Sequence, residues 1–191
     1  MKILYQGNEG AYSQLAAIEI FPKANLISCK TFEDCFQKCT NDESLRAIIP
    51  IENSIAGRVA DIQYLMNKYK LQIYAEHFHK VSHNLMSIPG VKIKDLKFVR
   101  SHSQAISQCQ RLINKYKLEP IIAADTAGSA KYISENSLNN EAAIASTLAA
   151  KKYNLEVLKS NIEDDKKNVT RFLFMGKKIE HPDFNKNENF I

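Results

Sequence analysis

Four short segments hold side chains that could grip and transform a small anion. They are Gln6-Gly-Asn-Glu-Gly-Ala-Tyr-Ser13, Pro50-Ile-Glu-Asn-Ser-Ile-Ala-Gly57, Ser101-His-Ser-Gln-Ala105 and Asp125-Thr-Ala-Gly-Ser129. Each follows a short apolar run and is rich in small, hydroxyl and amide residues. Three lead into amphipathic stretches, and a helix start offers free N–H groups and a positive dipole end to an anion. A fifth segment, Asn168-Val-Thr-Arg-Phe172, adds a hydroxyl and a guanidinium. In a strand, Thr170 and Phe172 would share one face and Arg171 would take the other. Arg171 could fork onto a carboxylate, or pair with a nearby acid such as Glu163 or Asp164; the sequence leaves both open. There is no Walker A run and no Gly-x-Gly-x-x-Gly, so the pattern suits a carboxylate-rich small molecule better than a nucleotide.

Each segment also has a purely structural reading. Ser101 and Gln104 form a Ser-x-x-Gln capping box. Asp125 or Thr126 is a good N-cap. Gly7 and Gly10 suit turns, and Glu52 and Asn53 could satisfy a turn after Pro50. Taken singly, the structural reading is preferred for every one. Taken together, the segments would build a polar cleft lined by helix starts and hydroxyls.

The elements that must position them alternate along the chain. Residues 2–5, 25–29, 46–49, 98–100, 120–124, 141–145 and 171–175 read as strands, and 71–87 as a long extended passage ending at the Pro89-Gly90 turn. Residues 11–21, 126–134 and 146–153 read as helices. Helical faces run through Val59, Ile62, Leu65, Met66 and Tyr69, and through Ala105, Ile106, Cys109, Leu112, Ile113 and Tyr116. Another helix opens with a Thr31/Asp34 capping box and buries Phe32, Cys35, Phe36 and Cys39 on one face. This alternation predicts α/β lobes with largely parallel sheets, and ligands in such sheets bind beyond the carboxyl ends of the strands.

With 191 residues, 45% of them hydrophobic and 25% charged, the chain can bury a core without staples. Its net charge of +5 is spread rather than blocked, which suits an anionic small molecule. Neither a basic helical stripe nor an aromatic-basic RNA signature is present, which argues against nucleic acid. Of the four cysteines, Cys35 and Cys39 read as buried helix thiols rather than ligands. His77, His79 and His83 lie in an alternating stretch and read as strand residues, so no metal is expected. No export signal or membrane-length apolar run is visible, and with reduced thiols this points to the cytoplasm and away from a membrane partner.

Six segments, in order, resemble the signatures of prephenate dehydratases: Gly7-x-x-Gly-Ala-Tyr-Ser13, Pro50-Ile-Glu-Asn-Ser54 with Gly57, Ser101-His-x-Gln-Ala105, Asp125-Thr-Ala-Gly-Ser-Ala130, Ala142-Ala-Ile-Ala-Ser146 and Thr170-Arg-Phe172. The resemblance implies two α/β lobes like those of type II periplasmic binding proteins, with the active site between them. Lobe 1 would span about 1–76 plus 167–179 and lobe 2 about 80–160, with crossings near 76–80 and 160–167. It also implies decarboxylating dehydration of prephenate to phenylpyruvate, in phenylalanine biosynthesis, without a cofactor, by a homo-dimer or homo-tetramer. Thr170 would be the catalytic group. Asn53, Ser54, Ser101, Gln104, Thr126 and Ala127 (through its N–H) would bind carboxylates and the keto group. Phe172 would pack on the ring, and Arg171 would support or bind a carboxylate. Glu52, His102 and Asn168 would support, with His102 the rival acid.

Ser103 stands where that family usually has Pro, the residue preset for a first helical position. The family also usually carries a C-terminal ACT domain that binds phenylalanine. Residues 180–191 read as a linker toward one, so the chain is expected to be a catalytic fragment or a short form without phenylalanine feedback. The rival functions are arogenate dehydratase, which runs the same chemistry on the amino-acid analogue, and a non-catalytic two-lobed solute-binding module.

Overall fold

A computed structural model describes residues 1–177. In chain order the elements are β1 (Lys2–Gln6), α1 (Tyr12–Ile20), β2 (Asn25–Cys29), α2 (Phe32–Asn41), β3 (Leu45–Asn53), β4 (Gly57–Arg58), α3 (Ile62–Tyr69), β5 (Gln72–Lys80), β6 (Asn84–Ser87), β7 (Phe98–His102), α4 (Ser103–Ser107), α5 (Gln110–Tyr116), β8 (Glu119–Ala123), α6 (Thr126–Glu135), β9 (Glu141–Ala145), α7 (Thr147–Lys152), β10 (Glu156–Lys159) and β11 (Val169–Gly176). They form two lobes. Sheet A has the order β2-β1-β3-β11-β5, with β4 paired to β3, and sheet B the order β10-β6-β9-β7-β8. The linker expected over 180–191 lies outside the described residues.

Each sheet buries both faces. Sheet A packs Leu4, Ala47, Ile49 and Met175 against α2 and α3 on one side. On the other side Ile3, Tyr5, Ile48 and Phe172 meet Ala16 and Ala17 of α1. Sheet B sends Leu85, Val99 and Ile144 toward α4 and α5, and Met86, Ala143 and Ala145 toward α6 and α7. The Thr31/Asp34 capping box opens α2 as expected, and Cys35 and Cys39 are buried in the core beneath it.

The sheets are mixed, which corrects the expectation of largely parallel ones. β1 pairs parallel with β2 and β3, but β11 runs antiparallel to both β3 and β5. In sheet B, β7 is parallel to β8 and β9, and β6 is antiparallel to β9 and β10. The cause is the double crossing: β5 and β10 lead toward it, β11 and β6 lead away, and a strand leaving a hinge opposes the strand that entered it. The first crossing is residues 81–83, later than the expected 76–80, because β11 offers β5 a ladder as far as Val169↔Lys80.

Two further boundaries differ from the sequence reading. β3 does not stop at Pro50. The register with β11 slips there, Arg171 facing Glu52 and Phe172 facing Pro50. Ile51 is the extra residue, and a bulge is where a residue without an N–H is tolerated. The helical face over 105–116 belongs to two helices rather than one. The returning crossing docks on the break: Asp164 N donates to Gln108 O at 2.7 Å, and the Asp164 carboxylate accepts from Arg111 N. Among the described residues no helix is long and apolar enough to cross a membrane.

Candidate functional site

The carboxyl ends of β1, β3, β7 and β8 converge on a cleft between the two sheets with a cavity of about 560 Å³. That is ample for a small acid. Its walls include Gln6, Tyr12, Asn53, Arg58, His83, His102, Gln104, Gln108, Thr126, Asn168, Thr170 and Phe172. The loop after β1 ties the lobes together on one side. Asn8 Nδ2 donates to Asp125 Oδ2 at 3.0 Å, Ser146 Oγ to Gly10 O at 2.6 Å, and Glu9 pairs with Lys152. Gly10 is held at φ +93°, and a Cβ there would stand 2.5 Å from Ala149 Cα. Its glycine therefore serves a close approach between lobes as well as a turn.

On the lobe 1 wall the polar side chains are bonded to one another. Asn53 Oδ1 accepts from Ile55 N and Ala56 N at 3.0 and 2.9 Å, which makes the turn after β3. Its Nδ2 donates to Asn168 Oδ1 at 2.7 Å and to Thr170 Oγ1 at 2.9 Å. Thr170 Oγ1 is thus an acceptor from Asn53, and among the described residues its own proton goes to no acceptor. Phe172, two residues on and on the same face, forms the apolar floor beside it.

Asn168 carries the network across to lobe 2. Its Nδ2 donates to Gln108 Oε1 at 2.7 Å, and His83 Nε2 meets the same oxygen at 2.9 Å. With that oxygen accepting, His83 carries its proton on Nε2, and its Nδ1 at 2.8 Å and Ser82 O at 3.0 Å share the hydroxyl proton of Tyr12. Burial lowers the His83 pKa below its ordinary value and raises that of Tyr12 well above its own. Both are therefore neutral near pH 7, and neither is poised to titrate there.

Lobe 2 contributes helix starts. Asp125 caps α6 by accepting from Gly128 N at 2.6 Å. The amides of Thr126 and Ala127 at the same start make no bond among the described residues. Thr126 reaches the cleft, whereas the Ala127 methyl is buried in the core and leaves only its amide at the helix start. α4 begins at Ser103, the departure from the usual Pro of the resembled family. Its cap is His102, whose Nδ1 accepts from Gln104 N at 3.3 Å, and not the Ser101/Gln104 box. β7 runs on through His102 against Ala123, so Ser101 is a strand residue.

The structure brings together Thr170, Asn53, Asn168, Phe172, His102, Gln104 and Thr126 around one cavity. Other expected residues lie outside it. Ser101 is fully buried and donates to Ile144 O at 2.6 Å. Ser54 donates to Lys167 O and accepts from Val169 N, clasping the turn to the crossing. Glu52 faces Arg58 and Arg171 across the strands. Arg171 points to the far face and pairs with Glu76 at 2.6 Å, not with Glu163 or Asp164. Glu163 instead accepts from His83 N and pairs with Lys166.

One functional candidate escaped the sequence reading. Arg58 is the sole Arg or Lys lining the cavity among the described residues, and no acid pairs with it there. It directly follows Gly57, at the edge of the Pro50 segment, so the signal was one residue past the motif.

The fold and cleft together define a two-lobed α/β protein with its site between the lobes. The chain matches the family described as Prephenate dehydratase over residues 3–180, and it belongs to that family. It is 40% identical over 177 residues to Arogenate dehydratase/prephenate dehydratase 1, chloroplastic, of Arabidopsis thaliana, covering 93% of this chain and 45% of the relative. It is 36% identical to a bifunctional N-acyl-homoserine lactone acylase/prephenate dehydratase of Komagataeibacter europaeus, covering 92% of this chain and 63% of the relative. The chain thus spans about half the length of the plant relatives it matches. The prephenate dehydratase of Arthrobacter aurescens, solved in complex with L-Phe, superposes with a TM-score of 0.86 at 26% identity over 94% of this chain and 61% of that one. The Staphylococcus aureus prephenate dehydratase gives 0.81 over 94% and 67%.

Proposed function

We propose that this cleft converts prephenate to phenylpyruvate, carbon dioxide and water. The observation that carries the reading is the Thr170 hydroxyl, which accepts from Asn53 and keeps its own proton available at the cavity wall. In the reaction, the bond from the ring carbon to its carboxylate breaks and carbon dioxide leaves. The released electron pair moves through the ring and expels the opposite hydroxyl as hydroxide. Aromatisation drives both changes. The barrier falls if charge on the departing oxygen meets a fixed donor. Thr170 supplies that hydrogen bond, and the hydroxide takes up a proton to become water. A neutral hydroxyl is a poor acid, so Thr170 donates or relays rather than protonating alone.

Arg58 is positioned to hold one carboxylate, and the free amides of α6 with the Thr126 hydroxyl to hold another. Phe172 gives the ring an apolar floor. His102 spends Nδ1 on Gln104 N, which leaves Nε2–H free for the keto group or as the rival donor. None of these roles requires a metal or a cofactor. In this reading the protein works in the cytoplasm as a homo-oligomer.

The same machinery could act on arogenate, which differs in carrying an ammonium in place of the keto oxygen, and the names of several relatives carry both activities. Purified chain, treated with a strong chelator, should release phenylpyruvate from prephenate faster than it makes phenylalanine from arogenate. The reverse ranking would reassign the substrate. Binding of prephenate without turnover would reduce the protein to a solute-binding module.

A further inference from the structure

Behind the cleft, on the α1 side of sheet A, two histidines and a carboxylate meet in an arrangement that the reaction does not use. His77 and His79 are two apart on β5 and project to one face. Glu19 comes down from α1, whose Ala16 and Ala17 pack on that face. His77 Nε2 lies 2.8 Å and His79 Nδ1 2.9 Å from the same oxygen, Glu19 Oε2. One ligand atom from each of the three lies within 4.8 Å of the others.

We propose that Glu19, His77 and His79 bind a divalent transition-metal ion of the zinc class, clamping α1 to β5. Two imidazole nitrogens and one carboxylate oxygen are the donor set such ions take, and they leave a fourth position for water. Metal–ligand bonds of about 2.0–2.2 Å place tetrahedral donors roughly 3.3 Å apart. The two nitrogen–oxygen separations need widen by only a few tenths of an ångström, the two nitrogens already lie within 4.8 Å of each other, and Glu19, with 48% of its side chain exposed, can turn to allow it. Burial raises the Glu19 carboxyl pKa, but the bonds from His79 and His77 outweigh it and hold the group below its ordinary value, in the form that ligates. His79 is the deep ligand, 5% exposed and fixed between the rings of Tyr12 and Phe172. His77 and Glu19 form the open mouth. A two-histidine ion pair explains the contacts equally well at rest. An ion entering among them would take the place of those two hydrogen bonds, with each imidazole presenting the same ring nitrogen unprotonated. The site lies one strand from the reaction: His79 pairs with Thr170, and His77 with Phe172.

The test uses tag-free chain stripped with chelator and dialysed. Zinc titrated calorimetrically should bind at one equivalent with a dissociation constant in the micromolar range or tighter, and should raise Tm. Cobalt should give visible ligand-field bands without a sulfur-to-cobalt band. His77→Ala and Glu19→Gln, both at the open mouth, should each weaken binding by more than the roughly 10–100-fold typical of losing an outer-shell partner. If one variant fails to fold, the other decides. Absence of saturable binding would overturn the proposal, as would unchanged affinity in the folded variants. A sulfur-to-cobalt band would also overturn it, assigning the ion to Cys29, whose pKa is lowered to about 7 by a hydrogen bond from Cys35 and the Lys38 charge. None of these readouts depends on which substrate the cleft takes.

Discussion

On the lobe 1 wall of the cleft, Asn53 and Thr170 are side chains bonded to one another; on the lobe 2 wall, beside His102, Gln104 and Gln108, the start of α6 presents backbone amides. Asn53 illustrates the first. Its oxygen fixes the local turn and its nitrogen fixes Thr170 and Asn168. Asp125 illustrates the second, capping α6 while the amides ahead of Gly128 stay open. The difference decides what a substitution can do. A side chain in a network can be removed, and its loss leaves partners unsatisfied. A backbone amide survives every side-chain change short of proline. Orientation of the reacting groups should therefore be fragile in lobe 1, and anion binding in lobe 2 tolerant.

The largest effect tests the lobe 1 network. Thr170→Val should lower kcat by about 10²–10³ with little change in KM, the usual cost of one transition-state donor. Thr170→Ser keeps the hydroxyl and should recover most of that loss. Asn53→Ala should also lower kcat, because the Thr170 oxygen loses the donor that orients it. The double variant should be little worse than Thr170→Val alone, since both act through one group. Full additivity in the steady-state rates would show that Asn53 works separately. A wild-type rate in Thr170→Val would move the donor role to His102.

Next come the charges. Arg58→Gln should raise KM about 10–100-fold, the scale of a charge-assisted hydrogen bond, with a smaller change in kcat. Thr126→Val should change KM less than about tenfold, because the α6 amides remain. If the lobe 2 variant proves the more damaging in the same assay, the contrast between the walls fails.

The fold was legible where local chemistry decides it. The ends of β2 at Asn25 and Cys29, the capping box of α2 and the strand–helix alternation follow from periodicity and caps. The mixed sheets, the bulge at Ile51 and the break between α4 and α5 were not, because each is set by a segment distant in sequence: β11 and β6 for the sheets, β11 for the bulge, Asp164 for the break. The site divides the same way. Thr170, Asn53 and Thr126 stand at strand ends or helix starts, where the segments pointed, and they line the cavity. Ser101 and Ser54 lie in the same motifs, yet their hydroxyls bond the backbone. A hydroxyl facing a cleft and one facing a carbonyl are the same letter in a sequence. Arg58 was missed because a lone arginine after a motif reads as surface.

Ser101 supplies a smaller and separable effect. Ser101→Ala removes the buried hydroxyl that donates to Ile144 O inside lobe 2. Unfolding by denaturant should show a loss of about 1–3 kcal/mol. The kcat and KM of the folded enzyme should not change, because the hydroxyl never reaches the cavity. A KM increase at constant stability would return Ser101 to the binding wall.

The smallest effect concerns pH and comes from His83, which joins the two walls through Gln108. Burial lowers its folded pKa below 6.5, while in the unfolded chain it titrates near 6.5. As pH falls through 6.5, the unfolded chain takes up a proton that the folded chain refuses. The unfolded state then binds more protons, so stability falls with pH across the window between the two values. One proton sets the slope at no more than about 1.4 kcal/mol per pH unit. Glu19 also lowers stability in acid, but in a separate window: its folded pKa lies below the ordinary 4.5, so its contribution fades only as pH falls below that value. Denaturant midpoints between pH 7.5 and 5.5 should therefore decline in wild type and decline less in His83→Gln, which can keep a bond to the Gln108 side chain. Equal declines would place the titrating group elsewhere, and a wild-type midpoint that rises toward pH 5.5 would mean that His83 is charged in the folded protein.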